Sequence, residues 1–292
     1  MSSRRKFQEL TIRDNFMFAA VMMRDDNCKK FLEMVLGIKI QNLEVSYEKS
    51  IIFNPECKGV RLDIYADDEN NTRYDIEMQV AEQDLGKRVR YYHSQMDMEL
   101  LESGHEYGEL SQAYVIFICD FDPFEKGRYC YTFENRCIED FSISMGDESR
   151  SIFLSTEGRD VENISKELKA FMEFVKMDNP ENNTEIENKY VKELQQSIRK
   201  VKEDRNLESG FMTWEDVRNA ARREGRREGR REGRLEGKRE DIVKLLEELG
   251  EVPKDIKSLI MSETKEIKLD YMLKAVIGVT SFAEYREKIS KL

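Results

Sequence analysis

The chain has 292 residues, of which 39% are hydrophobic and 10% aromatic, enough to bury one large core or two ordinary ones. A net charge of −11 argues against a generally basic protein that coats nucleic acid, so any such contact must be local or assisted by a bound cation. Two histidines, and five cysteines without a CxxC pair, argue against a zinc site and indicate reduced thiols. Since no stretch reaches the roughly 18 apolar residues of a membrane span and the N-terminus lacks an apolar signal segment, we expect a soluble cytoplasmic protein.

The first half of the chain mixes helix and strand patterns. Apolar residues recur at helical spacing over 11–36, with Thr11 or Asp14 as the start and Gly37 as the stop. The following elements are a strand at 45–53, a loop at 54–56, two β-prone runs at 60–65 and 74–80, a helix at 87–103 ending before Gly104, a buried strand at 113–119 and a strand at 128–133. This order predicts an α/β domain, residues 1–160, whose mixed sheet begins as an antiparallel meander and is flanked by helices.

The second half of the chain reads as helical. Amphipathic helices at 161–176 and 185–204 are separated by a breaker at 178–183, and Thr213 with Asp216 indicates a further helix start. An apolar stripe that includes Ile242 is stopped by Gly250, and Ser281 with Glu284 forms a capping-box pattern. We therefore predict connecting helices at 161–221, a repeat tract at 222–240 and a small helical C-terminal region at 241–292.

The tract at 222–240 repeats arginine, glutamate and glycine with a period of four. The period places like charges four residues apart, which repel on a helix, and each glycine costs about 1 kcal/mol relative to alanine in a helix interior. Nine basic and five acidic residues give the tract a local charge of +4. Three interpretations remain open: a solvated linker, a segment for self-association, or a segment that follows the phosphates of a nucleic acid.

The two β-prone runs carry acidic residues where packing residues are expected. Strand side chains alternate, so Asp63 shares a face with Arg61 and Tyr65, while Asp75, Glu77 and Gln79 share a face of the second run. A register in which paired residue numbers sum to 140 places Asp63 opposite Glu77.

Two carboxylates at cross-strand distance repel each other by a few tenths to about 1 kcal/mol, and a divalent cation between them reverses the sign. Oxygen ligands of this kind suit Mg²⁺ or Mn²⁺, which can activate water for attack on a phosphodiester. Gln79 can orient the attacking water or hydrogen-bond the phosphate, but it supplies no positive charge. The competing interpretation is a set of exposed acids on a solvated hairpin face.

These residues resemble the PD-(D/E)XK nuclease superfamily and, within it, the Rpn group of recombination-promoting nucleases, often labelled transposases. The resemblance rests on "VRLDIYA" with Asp63 and "YDIEMQV" with Glu77 and Gln79, on the opening "RDNFMFAAVM", and on "RVRYY", "ESGHEYGEL" and "QAYVIFICDF". It implies a restriction-endonuclease-like fold and Mg²⁺-dependent DNA cleavage, with Asp63 and Glu77 as metal ligands and Gln79 in the place of the usual lysine. Asp14 matches an acidic position of the group, although a helix cap explains it equally well.

Basic residues near the acids are candidates for phosphate contacts. Arg61, Arg88 and Arg90 are the nearest, with Arg88 at a helix start that points toward the acids. Neighbouring Tyr92 is expected in the core. The two histidines, His93 and His105, are expected to be structural or exposed.

Three functions therefore compete. The first is a DNA endonuclease, a hydrolase acting in recombination, mobile-element maintenance or defence. The second is a catalytically weak nuclease-fold protein that binds DNA or a protein partner. The third is a transposase, although no module for donor-end recognition is evident in the chain. A homo-oligomer through the helical C-terminal region would suit double-strand cleavage by one active site per chain.

Overall fold

The structure is a computed structural model that describes residues 6–24, 26–51, 60–101, 106–177 and 187–290. Within these ranges, six strands form one mixed sheet: β1 (Leu43–Ile51), β2 (Val60–Asp68), β3 (Arg73–Gln79), β4 (Ala113–Cys119), β5 (Cys130–Phe133) and β6 (Ser149–Ser155). Their order in the sheet is β1-β2-β3-β4-β6-β5. The predicted α/β class, with a mixed sheet flanked by helices, is confirmed.

In the antiparallel part of the sheet, β2 and β3 pair in the predicted register, in which the numbers of paired residues sum to 140. Strand β1 pairs with β2, and β2 pairs with β3 through Tyr65 opposite Asp75 and Ile64 opposite Ile76. The turn between β2 and β3 is closed by a hydrogen bond from Asn71 N to Asp68 O of 3.0 Å, with Asn71 in the left-handed conformation that asparagine tolerates. The predicted loop at 54–56 lies outside the described residues.

The parallel part of the sheet contains a strand that the sequence patterns did not predict. All seven residues of β4 are buried, because the strand is covered on both faces. Strand β6 pairs in parallel with β4 and antiparallel with β5, so it separates two strands that follow each other in the chain. The sequence patterns therefore did not predict β6, which lies between β4 and β5 in the sheet.

Five helices accompany the sheet: α1 (Asn15–Met22), α2 (Asn27–Leu36), α3 (Leu85–Leu100), α4 (Lys166–Lys176) and α5 (Lys189–Glu203). The single helix expected over 11–36 is wrong, because α1 ends at Met22 and a separate helix, α2, begins at Asn27. Helix α2 does end at Gly37, whose left-handed conformation allows its N–H to bond Glu33 O. The predicted breaker at 178–183 and Gly104 lie outside the described residues.

Each face of the sheet is covered by helix. The first two turns of α3 contribute Leu85, Val89 and Tyr92 to a cluster with Val115 and Phe117 of β4. Helix α1 packs against β2 and α5, and α4 packs against α2 and α5. The sheet domain predicted over 1–160 lies within a larger compact unit, Met1–Phe211, in which α4 and α5 pack on the two N-terminal helices.

The second compact unit is Met212–Leu292 and is helical in its described part. A continuous helix α6 (Arg205–Glu247) begins before this unit, and α7 (Lys254–Ser262), α8 (Glu266–Val276) and α9 (Phe282–Ile289) follow. A helix start at Thr213 is therefore wrong. The core of the unit includes Ile242, Leu246 and Tyr285. Ser281 caps α9 by accepting a hydrogen bond from Glu284 N at 3.3 Å, as the capping pattern predicts.

Two further expectations concern thiols and membranes. Cys28, Cys119, Cys130 and Cys137 are free thiols, and Cys57 lies outside the described residues. In the described part of the chain, no helix is both long and apolar enough to cross a bilayer.

Candidate active site

Four polar side chains of the hairpin meet beneath α3. Asp75, Glu77 and Gln79 are exposed by only 0%, 2% and 6%, while Asp63 on the neighbouring strand is half-buried. Because β3 runs parallel to β4, Glu77 lies beside Phe117 and Gln79 beside Cys119. The acids therefore do not occupy a solvated hairpin face, and the competing interpretation of exposed acids is wrong.

Asp63 is held by the backbone of β3 and by α1. Its backbone N–H donates to Glu77 Oε1 at 3.0 Å, and Met78 N donates to Asp63 Oδ2 at 3.3 Å. The side-chain amide of Asn15, in the first turn of α1, donates to both Asp63 oxygens at 3.2 Å. These bonds fix the Asp63 and Glu77 carboxyl groups side by side.

Arg88 of α3 contacts three polar groups of the site. Its Nη2 donates to Glu77 Oε2 at 2.5 Å, its Nη1 donates to Gln79 Oε1 at 2.8 Å, and its Nε donates to the Tyr92 hydroxyl at 2.7 Å. The guanidinium also stands 5.3 Å from the centre of the Phe117 ring. All three sets of guanidinium N–H groups are therefore engaged, and the arginine is locked in one orientation.

Burial makes the acids hard to ionise. Desolvation, followed by the negative charge of Asp63, raises the pKa of Glu77 to about 8 in spite of the Arg88 charge. Desolvation and the neighbouring Glu77 and Asp63 charges raise the pKa of Asp75 well above its ordinary value. Three carboxyl groups thus lie close together with Arg88 in contact with Glu77, and both burial and mutual repulsion oppose their simultaneous ionisation.

Asp75 lacks the partners that a buried carboxyl group normally has. Among the described residues, no group donates a hydrogen bond to either of its oxygens. Buried polar atoms without partners are rare in folded proteins and call for an explanation, such as an ion or a shared proton.

Comparison with known proteins identifies the family of the chain. A family model described as PD-(D/E)XK nuclease family transposase matches residues 15–210. The chain belongs to this family. No curated protein and no solved structure matches it significantly.

Membership of the PD-(D/E)XK family implies a divalent metal, and the donor chemistry of the site fits one. Asp63 and Glu77 offer carboxylate oxygens from adjacent strands, the ligands that Mg²⁺ and Mn²⁺ prefer. Beside this pair, the buried oxygens of Asp75 accept no hydrogen bond from the described residues, and a nearby cation would compensate such polar atoms. Among the described residues, however, no three Asp, Glu, His or Cys side chains are arranged as a metal centre. Water, substrate oxygens and main-chain carbonyl groups are the other oxygen ligands that such a cation accepts.

The accessory residues predicted from sequence lie in different places. Asp14 precedes α1 and accepts a hydrogen bond from Thr11 N at 2.8 Å, the contact of a residue at a helix start. Arg61 is exposed on β2 opposite Ser50, and Arg90 is exposed on α3. Arg88 contacts Glu77 at 2.5 Å.

Asn15 contacts Asp63 in the site, and no sequence pattern predicts this contact. It contacts Asp63, which lies 48 positions further along the chain, and its only local signal is the position next to Asp14.

His93 is structural, as expected. It is hydrogen-bonded to Ser149 and Ser151 of β6, and burial lowers its pKa to about 4. His105 lies outside the described residues.

The raised pKa of Glu77 predicts that the metal-free protein loses stability as the pH rises. In the folded chain Glu77 keeps its proton up to about pH 8, whereas in the unfolded chain it loses the proton near its ordinary value of 4.5. The associated stability is fully present below the lower value and is lost between the two, at about 1.4 kcal/mol per pH unit. Urea unfolding followed by the infrared signal of the sheet measures this slope. Glu77→Gln should make it shallower, and an unchanged slope would contradict the assignment.

Proposed function

We propose that the chain is a Mg²⁺- or Mn²⁺-dependent endonuclease that hydrolyses DNA phosphodiester bonds. The observation that carries the proposal is the pair formed by half-buried Asp63 and buried Glu77, in which the Asp63 N–H donates to Glu77 Oε1 and Arg88 contacts Glu77. Family membership supports a nuclease, and the chemistry of the pair supports the metal.

Asp63 and Glu77 would hold the metal, with Asn15 orienting the Asp63 carboxylate through its two hydrogen bonds. When bound, the cation supplies activation of water and neutralisation of the charge that develops on the phosphate. The residues of the chain hold the two carboxyl groups in the positions that metal binding requires. The backbone N–H of Met78 and that of Asp63 fix the two carboxyl groups, and α3 excludes bulk water from one side.

Arg88 would provide the positive charge that Gln79 cannot provide. The superfamily motif has lysine at the position of Gln79, but a neutral amide does not stabilise an anion in the same way. Here the amide oxygen of Gln79 accepts from Arg88 Nη1 at 2.8 Å, so it positions the guanidinium beside the acids. Arginine remains charged throughout the accessible pH range and can contact phosphate with two N–H groups.

A catalytically weak, nuclease-fold DNA- or protein-binding module is the second candidate, and one observation favours it. Arg88 Nη2 binds Glu77 Oε2 at 2.5 Å, so one oxygen of an expected metal ligand is already engaged. If this bond persists when DNA is bound, Glu77 Oε2 is not available to coordinate the metal.

Nicking of supercoiled plasmid DNA separates the two candidates. We expect wild-type protein to convert plasmid to the open-circular form with Mg²⁺ or Mn²⁺ and to stop when EDTA removes the metal. Cleavage that persists in EDTA would contradict the role of the metal. Binding of the plasmid without cleavage in either metal would support the binding module instead.

A further inference from the structure

The repeat tract forms a one-sided arginine surface on α6. Six arginines line the same groove, which we call the arginine face: Arg223, Arg226, Arg227, Arg230, Arg231 and Arg234. At 3.6 residues per turn, each four-residue repeat advances only about 40° around the helix, so successive arginine pairs remain on one side. The glutamates of the repeat follow a parallel path on another side. The four-residue period thus places arginines and glutamates on different sides of the helix, although the two residue types alternate along the chain.

The charge of the arginine face is only weakly compensated. Glu266 is the acidic residue that lines the groove, and its nearest contact is Lys238 at 3.0 Å, with Arg234 at 3.5 Å. Arg227 lies 3.9 Å from Glu224, and both side chains are mostly exposed. Exposed pairs at such distances contribute little, so the face keeps a strong positive potential.

The composition of the face argues for a polyanion rather than a protein surface. Residues 222–234 consist of arginine, glutamate and glycine alone. Protein interfaces are centred on buried apolar or aromatic anchors, and this segment offers none. A second copy of the same face would bring arginine against arginine. A Cβ placed at Gly225, Gly229 or Gly233 would meet nothing within 4 Å, so no element of the described structure packs on those glycines.

The spacing of the arginines matches a nucleic-acid strand. Two arginines in every four residues give about one positive charge per 3 Å of helix axis. One strand of duplex DNA carries one phosphate per about 3.4 Å of axis. Guanidinium groups bind phosphate oxygens through paired hydrogen bonds and read no base sequence in doing so.

We propose that the arginine face binds the phosphate backbone of duplex DNA without sequence preference. This binding requires neither the metal nor the carboxyl pair of the sheet. It can therefore be tested independently of the nuclease proposal. The arginine face would give this acidic protein a local positive surface that binds DNA.

Fluorescence anisotropy with a labelled duplex of about 20 base pairs tests the proposal, because affinity is measured as a function of salt. The full-length protein is used in EDTA, so that metal-dependent cleavage does not interfere. The test variant is Arg227→Gln/Arg230→Gln/Arg231→Gln. The matched control, Lys254→Gln/Lys257→Gln/Lys274→Gln, removes the same charge from exposed positions of the same unit.

We expect the arginine variant to bind at least tenfold more weakly than wild type at about 0.1 M salt, and its log–log salt slope to be smaller by about 2.7. The lysine control should keep affinity within about twofold of wild type. Absence of wild-type binding, an unchanged affinity of the arginine variant, or an equal loss in the lysine control would each overturn the proposal. If the arginine face bound a protein partner instead of DNA, the arginine variant would keep the wild-type affinity for DNA. Plasmid nicking in Mg²⁺ reports separately on the nuclease proposal.

Discussion

Replacing Glu77 by glutamine is expected to lower the rate of metal-dependent plasmid cleavage about 100- to 1,000-fold, the usual cost of removing one group that stabilises a transition state. Asp63→Asn should have an effect of the same size. Both substitutions keep the shape of the side chain and remove the charged oxygen that a divalent cation needs. The Glu77 variant should remain folded, because glutamine removes a carboxyl group whose ionisation is opposed by burial and by Asp63.

Glu44→Gln is the matched control, since Glu44 is exposed on β1 of the same sheet. It should cleave at the wild-type rate. Circular dichroism of each variant establishes that the sheet and helices are intact. Wild-type cleavage by a folded Asp63→Asn or Glu77→Gln protein would show that the carboxyl pair is not the catalytic centre.

Replacing Arg88 by methionine is expected to lower both stability and cleavage. The substitution leaves Glu77 buried without its cation, and breaking a buried ion pair from one side costs about 3 to 5 kcal/mol. The full loss is expected above about pH 8, where Glu77 is ionised, and a smaller loss is expected below that value, where Glu77 already holds its proton. Cleavage should fall at least tenfold if Arg88 supplies charge to the phosphate. Urea unfolding and plasmid nicking measure the two effects.

A charge exchange separates a catalytic role of Arg88 from a merely structural one. Gln79→Lys in the Arg88→Met background returns a cation to the motif position on β3, and it should recover cleavage at least tenfold over Arg88→Met alone. Arg90→Met is the control on the exposed side of the same helix and should change neither property. Recovered stability without recovered cleavage would show that Arg88 only balances buried charge.

The hairpin could be predicted because its information is local. Strand alternation assigns Asp63, Glu77 and Gln79 to one side, and a short turn leaves few registers, so Tyr65 does pair with Asp75. Burial of that polar side could not be predicted, because α3 covers it through contacts that no local pattern encodes. The position of Asn15 beside Asp63 also depends on packing between distant segments.

The remaining differences have related causes. Strand β6 inserts between β4 and β5, and its place depends on backbone pairing with both neighbours rather than on chain order. Helix α6 continues through its glycines although each one is unfavourable. Arginine and glutamate favour helix, and buried residues lie on both sides of the repeat, Phe211 before it and Ile242 after it.

Calorimetric titration with Mn²⁺ tests the carboxyl pair most directly, because it requires neither DNA nor turnover. Wild-type protein should bind Mn²⁺ with release of heat or protons, and Asp63→Asn and Glu77→Gln should each weaken binding at least tenfold, while Glu44→Gln binds as wild type does. Equal Mn²⁺ binding by the wild type and by both site variants would contradict the assignment of Asp63 and Glu77 as the metal-binding pair.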